Sequence, residues 1–491
     1  MYDKTKNLIG YDEHGRLVDE GNSIHRIITP SYLTSALEIF ELYKINNLSK
    51  FGIVETNWSD VGNFFIHKKY IISYPYEWPT EMYKDAVLFH LNLLLELDKL
   101  NLSLKDILLT NIVFDSTRPV FVDFLSIIKT INISKEKWLV EGFPLNEKRF
   151  AAIEKMFIPF LFVPLLKMES KDFAEARKML SVKACNMGNG QPELSEVFYW
   201  KRHSVKEYLK NPKMIVKDIV YYQMKKKEIN EIIYSFKQET NYSDYIHKLN
   251  ELIKKIEVTP PAGAYQEYYS QKKESFNFSS QESWGNKQRN VFNVLKKECP
   301  VTVLDIGANT GWFSFLAEHL GSSVISLEIE EDCINAIYRQ SKKGNNKILP
   351  LLISFDDLSK SYFGSVPSGA DYSERDFKNE PLFIAPLKRF HVDLVLCLGL
   401  IHHLVLGMGK EIDEVLKILS KISRKSLLLE FVSLNDPLIV NEPTFFQNLH
   451  KYNKNNYSLE EVIMIGKKYF LSVEILTSHP ESRNLILFKK N

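Results

Sequence analysis

One stretch constrains this chain more than any other: VLDIGANTGWFSFLAEHLGSSVISLEIE, residues Val303–Glu330. It reads as a strand, a tight glycine turn, a helix and a second strand. The first strand is the apolar run VTVLDI. Gly307 and Gly311 reach backbone angles closed to other residues, so the chain can press against a ligand there. Phe313 to Leu320 has helical apolar spacing and stops at Gly321. The next strand, SVISLEI, places Glu328 at its carboxyl end, beside the first turn of a parallel sheet. Open α/β sheets bind nucleotides at that edge, and a carboxylate there suits the two hydroxyls of a ribose.

The turn chemistry separates two ligand classes. A dinucleotide site uses G-x-G-x-x-G because a pyrophosphate must meet the helix N-terminus. Here the pattern is D-x-G-x-N-x-G: Asp305, Gly307, Asn309 and Gly311. A carboxylate at the strand end repels phosphate and suits the ammonium of a methionine moiety. These residues resemble motif I of the class I S-adenosylmethionine-dependent methyltransferases, with Glu328 as the acidic ribose ligand of the next motif. The resemblance implies an α/β, seven-stranded Rossmann-like domain that binds S-adenosyl-L-methionine.

The remaining strands of such a domain can be placed. NKILPLLIS is the third and ends near Asp356 and Asp357; Asp356 is expected to accept from the adenine amino group, while the other caps a helix. VDLVLCLGLIHHLV is the fourth strand with its exit, SLLLEFV is the fifth, and YFLSVEIL and NLILFKK form a closing antiparallel pair. Acceptor-facing residues follow the fourth strand. Amino-methylating enzymes of the nucleobase or glutamine type show [D/N]-P-P-[Y/F] there, whereas this chain has Gly399-Leu400-Ile401-His402-His403. An imidazole titrates near neutrality, so His402 or His403 is read as the catalytic base for a hydroxyl acceptor. On that reading the rate rises with pH through the histidine range. Glu430 is a further candidate in the same cleft. Tyr268, Tyr269 and Trp284, ahead of the glycine turn, either line the cofactor mouth or pack an interface. The polar stretch PSGADYSERDFKN reads as an insertion loop.

The first third has its own pattern. Residues 1–75 alternate strand-like pieces with one helical segment near Ser31–Tyr43; the turn YPYEWP then leads into an amphipathic helix, Glu81–Lys99. LSLKDILLTNIVFDSTRPVFVDFLS follows, with Asp106, then Asn111, a hairpin, and Asp123-Phe124. This resembles the catalytic loop and metal-binding segment of protein-kinase-like and aminoglycoside-phosphotransferase-like folds. The resemblance implies an α+β domain in which Asp106 is the base and Asn111 and Asp123 hold magnesium for ATP, if that half is active. Several parts depart from the pattern. There is no glycine-rich phosphate loop, Arg26 in SIHRIIT is the nearest cation to the usual lysine, Leu104 replaces a histidine, and Leu125 replaces a glycine. Arginine does not simply substitute for lysine. A degenerate, kinase-shaped domain is expected.

At 491 residues the chain has room for two or three domains. The expected division is a kinase-like domain over 1–135, its helical extension and linker over 136–260, and the methyltransferase domain over 261–491. Trp138–Leu166 and Phe173–Leu180 read as helices, and lysine-rich helical spacing runs from Val205 to Ile256 before the linker TPPAGAY. Interleaved glutamates make that stretch a solvated helix face, and a net charge of +2 gives no field for nucleic acid. The order of parts resembles a group of bacterial two-part proteins, including nodulation-type proteins, in which a kinase-like part precedes a class I methyltransferase.

Hydrophobic content of 45% and charged content of 25% are ordinary for a globular protein. Cys185, Cys299, Cys333 and Cys397 lack metal-ligand spacing and fit a reducing cytoplasm. MYDKTKNLIGYDEHG lacks an apolar signal core, and MFIPFLFVPLL is too short to span a membrane. The acceptor is read as a saccharide or other small molecule. Two alternatives stay open: a bifunctional kinase–methyltransferase, and a kinase-like half that only docks a glycan or partner.

Overall fold

The computed structural model describes residues 8–12, 14–135, 149–150, 152–180, 205–234, 241–260, 276, 278–360, 384–453 and 455–490. The reading of ACNMGNGQPEL, Tyr268, Tyr269, the insertion loop and most of the 259–265 linker lies outside these residues. Two compact units emerge, one drawn from 1–260 and one from 261 onward, with Glu77–Pro79 grouped with the second.

The first unit opens with an antiparallel five-stranded sheet. Its strands are β1 (Leu8–Asp12), β2 (Gly15–Asp19), β3 (Ser23–Ile28), β4 (Thr56–Ser59) and β5 (Phe64–Lys68), in the order β1-β2-β3-β5-β4. The helix Leu33–Ile45 follows β3. A second helix, Thr80–Asp98, buries a stripe that includes Met82, Ala86, Leu93 and Leu97 and packs on the helix Tyr242–Lys254. Lys84 Nζ donates to the Ile256 carbonyl at 2.6 Å beside it. Two small ladders complete the pattern: β6 (Leu102–Leu104) pairs with β9 (Ile127–Lys129), and β7 (Ile112–Asp115) pairs with β8 (Arg118–Phe121). The hairpin read in the sequence is therefore present, with Ser116 in the left-handed region (φ 60°) at its turn.

Among the described residues the expected helix from Trp138 is helical at 149–150 and 152, becomes a π-helical segment Ile153–Phe162 that contains Pro159, and continues as Val163–Glu169. Proline supplies no N–H for an α-helical bond, and the wider turn accommodates it. The lysine-rich stretch is three helices, Val205–Lys210, Lys213–Tyr234 and Tyr242–Lys254.

His90, on the long helix, is fully buried, with its ring edge-on to Phe121. Burial pushes its pKa down to about 3. The folded chain therefore keeps a neutral ring while the unfolded chain takes a proton below about pH 6.5. Its contribution is complete above that value and is lost as pH falls toward the folded pKa. Between pH 6.5 and 4.5 the loss is roughly 2–3 kcal/mol. Denaturant titrations at those two values should show a smaller acid loss in His90→Leu than in the wild type; equal losses would contradict this account.

The second unit is built on one seven-stranded sheet. Its strands are β10 (Thr302–Ile306), β11 (Ser323–Glu328), β12 (Ile348–Leu352), β13 (Val392–Cys397), β14 (Ser423–Val432), β15 (Ser472–Thr477) and β16 (Arg483–Lys489). The order is β12-β11-β10-β13-β14-β16-β15; neighbours are parallel as far as β14, and β16 is antiparallel to both β14 and β15. Parallel strands covered on both faces are largely apolar, as in β13, where every residue is buried and Asp393 is the one charged side chain. The helices Asn286–Glu298, Trp312–His319, Glu331–Gly344 and Ile412–Ile422 accompany the sheet. Trp284 is buried against Phe278, Phe292 and Trp312 and packs this core.

Candidate cofactor and acceptor site

The site grows from the turn between β10 and the helix Trp312–His319. Gly307, Asn309 and Gly311 all have positive φ, at 73°, 52° and 88°. Gly311 has a second reason to be glycine: a Cβ there would lie 2.8 Å from Ile337 Cγ1. The Gly307 and Ala308 N–H groups both donate to the Leu327 carbonyl, at 2.9 and 3.0 Å, which ties the turn to β11.

Two carboxylates face this turn. Asp305 is buried, and burial raises its pKa to about 6 against the bond it accepts from Ser314 Oγ at 2.7 Å. Ser326 in turn donates to Ser314 at 2.8 Å, so adjacent strands share one polar chain. Glu328 ends β11, where its oxygens accept from the N–H groups of Asn309 (2.7 Å), Ile329 (2.6 Å) and Glu330 (3.1 Å). Burial raises its pKa against those three bonds. The motif acid thus clasps the glycine turn itself, a contact that strand pairing of β10 with β11 makes inevitable.

β12 ends at Leu352, and Asp356 follows on the 3₁₀ turn Phe355–Asp357, its carboxylate 2.5 Å from Lys410 Nζ. The cap on that turn comes from Ser354, whose Oγ accepts from the Asp357 N–H, not from an aspartate.

On the other side of β10 lies the exit of β13. Gly399 (φ 65°) leads to Leu400, whose Cδ atoms would be 3.5 Å from a Cβ on Gly307, so the two loops face each other. His402 and His403 sit in the first turn after that exit, rings 4.2 Å apart and both near Phe446. His402 is 1% exposed, and neither ring nitrogen has a hydrogen-bond partner among the described residues. Burial, then the neighbouring His403 and Arg483, hold its pKa well below the usual value; burial and Arg483 lower His403 as well. Both rings are neutral at pH 7. Nearby, Asp436 is paired with Arg483 (2.8 and 3.0 Å) and Ser482 (2.6 Å), which brings its pKa down to about 2 despite burial.

Glu430 ends its run in β14 fully buried, accepting from Lys287 Nζ at 2.7 Å and from Ser478 Oγ at 2.5 Å. Sequence reading passed over Lys287. A lone lysine in NKQRN carries no signal of its own.

In the first unit, the hairpin brings the other candidates together. The Val122 N–H donates to the Asn111 carbonyl at 2.9 Å, so Asn111 and Asp123 flank its open end. The Asp106 N–H donates to Ser126 Oγ at 3.0 Å, anchoring that loop to the segment after Asp123. Arg26, 3% exposed on β3, places its guanidinium 3.1 Å from Asp123 Oδ1. Among the described residues no group of three His, Cys, Asp or Glu side chains is arranged to hold a metal ion.

No family model matches the sequence. The chain is 23% identical over 376 residues to the nodulation protein NoeA of Rhizobium meliloti (strain 1021), covering 75% of this chain and 70% of that protein. Among solved structures, the bifunctional kinase–methyltransferase WbdD aligns with 43% of this chain and 42% of its own at 16% identity and a TM-score of 0.30. Magnesium protoporphyrin IX methyltransferase (ChlM) from Synechocystis PCC 6803, with bound SAH, aligns with 41% of this chain and 81% of its own at 12% identity and a TM-score of 0.26. The chain spans less than half the length of WbdD. Strand order, the antiparallel β16 between β14 and β15, and the D-x-G-x-N-x-G turn carry the assignment. The C-terminal unit has the strand order and glycine turn of the class I S-adenosylmethionine-dependent methyltransferase fold, and the chain is similar over 75% of its length to the nodulation protein NoeA.

Proposed function

We propose that the chain transfers the methyl group of S-adenosylmethionine to a hydroxyl of a saccharide or other small molecule. The observation that carries the cofactor is the clasp of Glu328 on a turn of three positive-φ residues, with Asp305 beneath it. On this reading Asp305, Gly307, Asn309, Gly311 and Glu328 form the cofactor site. Asp356 remains a candidate for the adenine only if it leaves Lys410. The acceptor lies toward His402 and His403, where a neutral imidazole takes the hydroxyl proton as the methyl moves in line. Catalysis is then mostly the orientation of donor and acceptor. Calorimetry with S-adenosylhomocysteine and with NAD tests the cofactor directly. Tight NAD binding without S-adenosylhomocysteine binding would overturn it. Mass spectrometry of a cell extract incubated with the protein and labelled cofactor identifies the acceptor.

The division of labour is read over 1–135, 136–260 and 261–491; the start of the second compact unit near residue 261 supports the last of these boundaries. No helix among the described residues is long and apolar enough to cross a membrane. The buried free thiols Cys333 and Cys397 support a reducing, cytoplasmic setting.

The kinase-like part is read as non-catalytic. Phosphoryl transfer needs metal and backbone amides around the triphosphate, and the Arg26–Asp123 pair sets a cation against the carboxylate that would hold magnesium. The alternatives are a bifunctional protein and a docking module for a glycan or partner. Thermal shift should show no stabilisation by ATP with magnesium, and Asp106→Ala with Asp123→Ala should leave methyl transfer nearly unchanged. Acceptor phosphorylation that disappears in Asp123→Ala would establish the bifunctional reading instead.

A further inference from the structure

Lys287 lies in the first turn of the helix Asn286–Glu298, before the glycine turn in the chain, yet it reaches the far side of the cleft. Its Nζ bonds Glu430 across 143 residues of sequence. Glu430 is wholly buried and is fixed from its other oxygen by Ser478, whereas the Lys287 side chain stays 20% exposed. A buried ion pair is costly to assemble and weak evidence for stability by itself. Here one member is sealed, while the other side chain stays partly exposed and its ammonium has three N–H donors, of which Glu430 takes one.

The surroundings say where that ammonium points. A Cβ on Gly399 would stand 3.5 Å from Glu430 Oε2 and 3.9 Å from Lys287 Nζ, so the exit of β13 passes directly over the pair. The adjacent Leu400 faces Gly307. The ammonium therefore stands beside the exit of β13, one residue before the side chain that faces the cofactor turn. The Phe313 ring lies 5.3 Å from Nζ. S-adenosylmethionine ends in a zwitterion, and its ammonium is already matched by Asp305 on the reading above. Its carboxylate needs a cation on the same wall.

We propose, resting on that cofactor reading, that Lys287 binds the methionyl carboxylate, and that Glu430 is a positioning residue that aims it. The pair is then the amino-acid subsite of the cleft, and it distinguishes a ligand with the amino-acid tail from one without it.

Calorimetry with S-adenosylhomocysteine and with 5′-methylthioadenosine, which lacks the tail, separates this role from a structural one. Lys287→Met should weaken S-adenosylhomocysteine binding about 10- to 100-fold, the range of a charged hydrogen bond, and leave 5′-methylthioadenosine binding unchanged. Lys287→Arg should recover part of the loss. The double variant Lys287→Met/Glu430→Gln removes both charges, so it folds without a stranded carboxylate and should show the same selective loss. Unchanged S-adenosylhomocysteine affinity in the variants, or equal losses for both nucleosides, would overturn the assignment. A wild-type protein that binds neither nucleoside would overturn the cofactor reading itself.

Discussion

Gly307→Val is expected to abolish measurable S-adenosylhomocysteine binding, while Gly321→Val leaves it intact. Both glycines have positive φ, 73° and 99°, so valine pays a comparable backbone penalty at each, about 1–3 kcal/mol. Their surroundings differ. Gly321 has nothing within 4 Å of an added Cβ and ends a helix at the surface away from the turn. At Gly307 the Cβ itself would make ordinary contact with Leu400, at 3.5 Å, and the two methyls beyond it would fill the gap between the β10 turn and the β13 exit. That gap is where the methionine portion is proposed to lie. Losing about 3 kcal/mol of contact there corresponds to roughly a hundredfold in affinity, with strain in the turn added. Calorimetry on folded protein, confirmed by circular dichroism, makes the comparison. Equal affinities in wild type and Gly307→Val would remove the turn from the cofactor site. Equal losses in both glycine variants would show that general destabilisation, not the cleft, is responsible.

His402→Ala or His403→Ala should lower turnover on the order of 10²–10⁴-fold while S-adenosylhomocysteine affinity is kept, the usual contribution of a positioned base. Two fully active single variants would make both histidines structural. The pH dependence needs correcting from the sequence expectation. Burial holds His402 below its ordinary value, with His403 and Arg483 adding to the effect, and His403 is lowered too. The ring able to accept a proton is therefore already the major form at pH 6.5. The rate should be flat from about pH 6.5 upward and should fall only on the acid side of the ordinary histidine range. A rate that climbs through pH 6–7.5 would point to a solvated histidine or another group. The same depression has a stability consequence of the same sign as for His90. Stability from the neutral ring is full above the unfolded pKa and declines as pH falls below it.

Local pattern made much of this chain legible. The glycine turn, its helix and the acid ending β11 follow from residues within one short window, because turn angles and helix spacing are set by near neighbours. The hairpin β7–β8 was read from NIVFD-STR-PVFVD, and the closing pair β15–β16 was expected from the methyltransferase resemblance; both are present. That Lys410 pairs with Asp356 was not legible, because the lysine comes from the segment after β13, more than fifty residues on.

What the sequence by itself determined is the set of elements and the chemistry at each strand end. The tertiary structure alone decided which charges meet. Lys287 finds Glu430, Arg26 finds Asp123 and Arg483 finds Asp436 only because the fold brings together segments that are distant in the chain. It also set the protonation of the histidines: nothing in Gly399–His403 distinguishes a solvated imidazole from a buried one. Desolvation depends on what packs around a ring from every direction, and here Phe446 and Arg483 arrive from segments that local spacing does not reach.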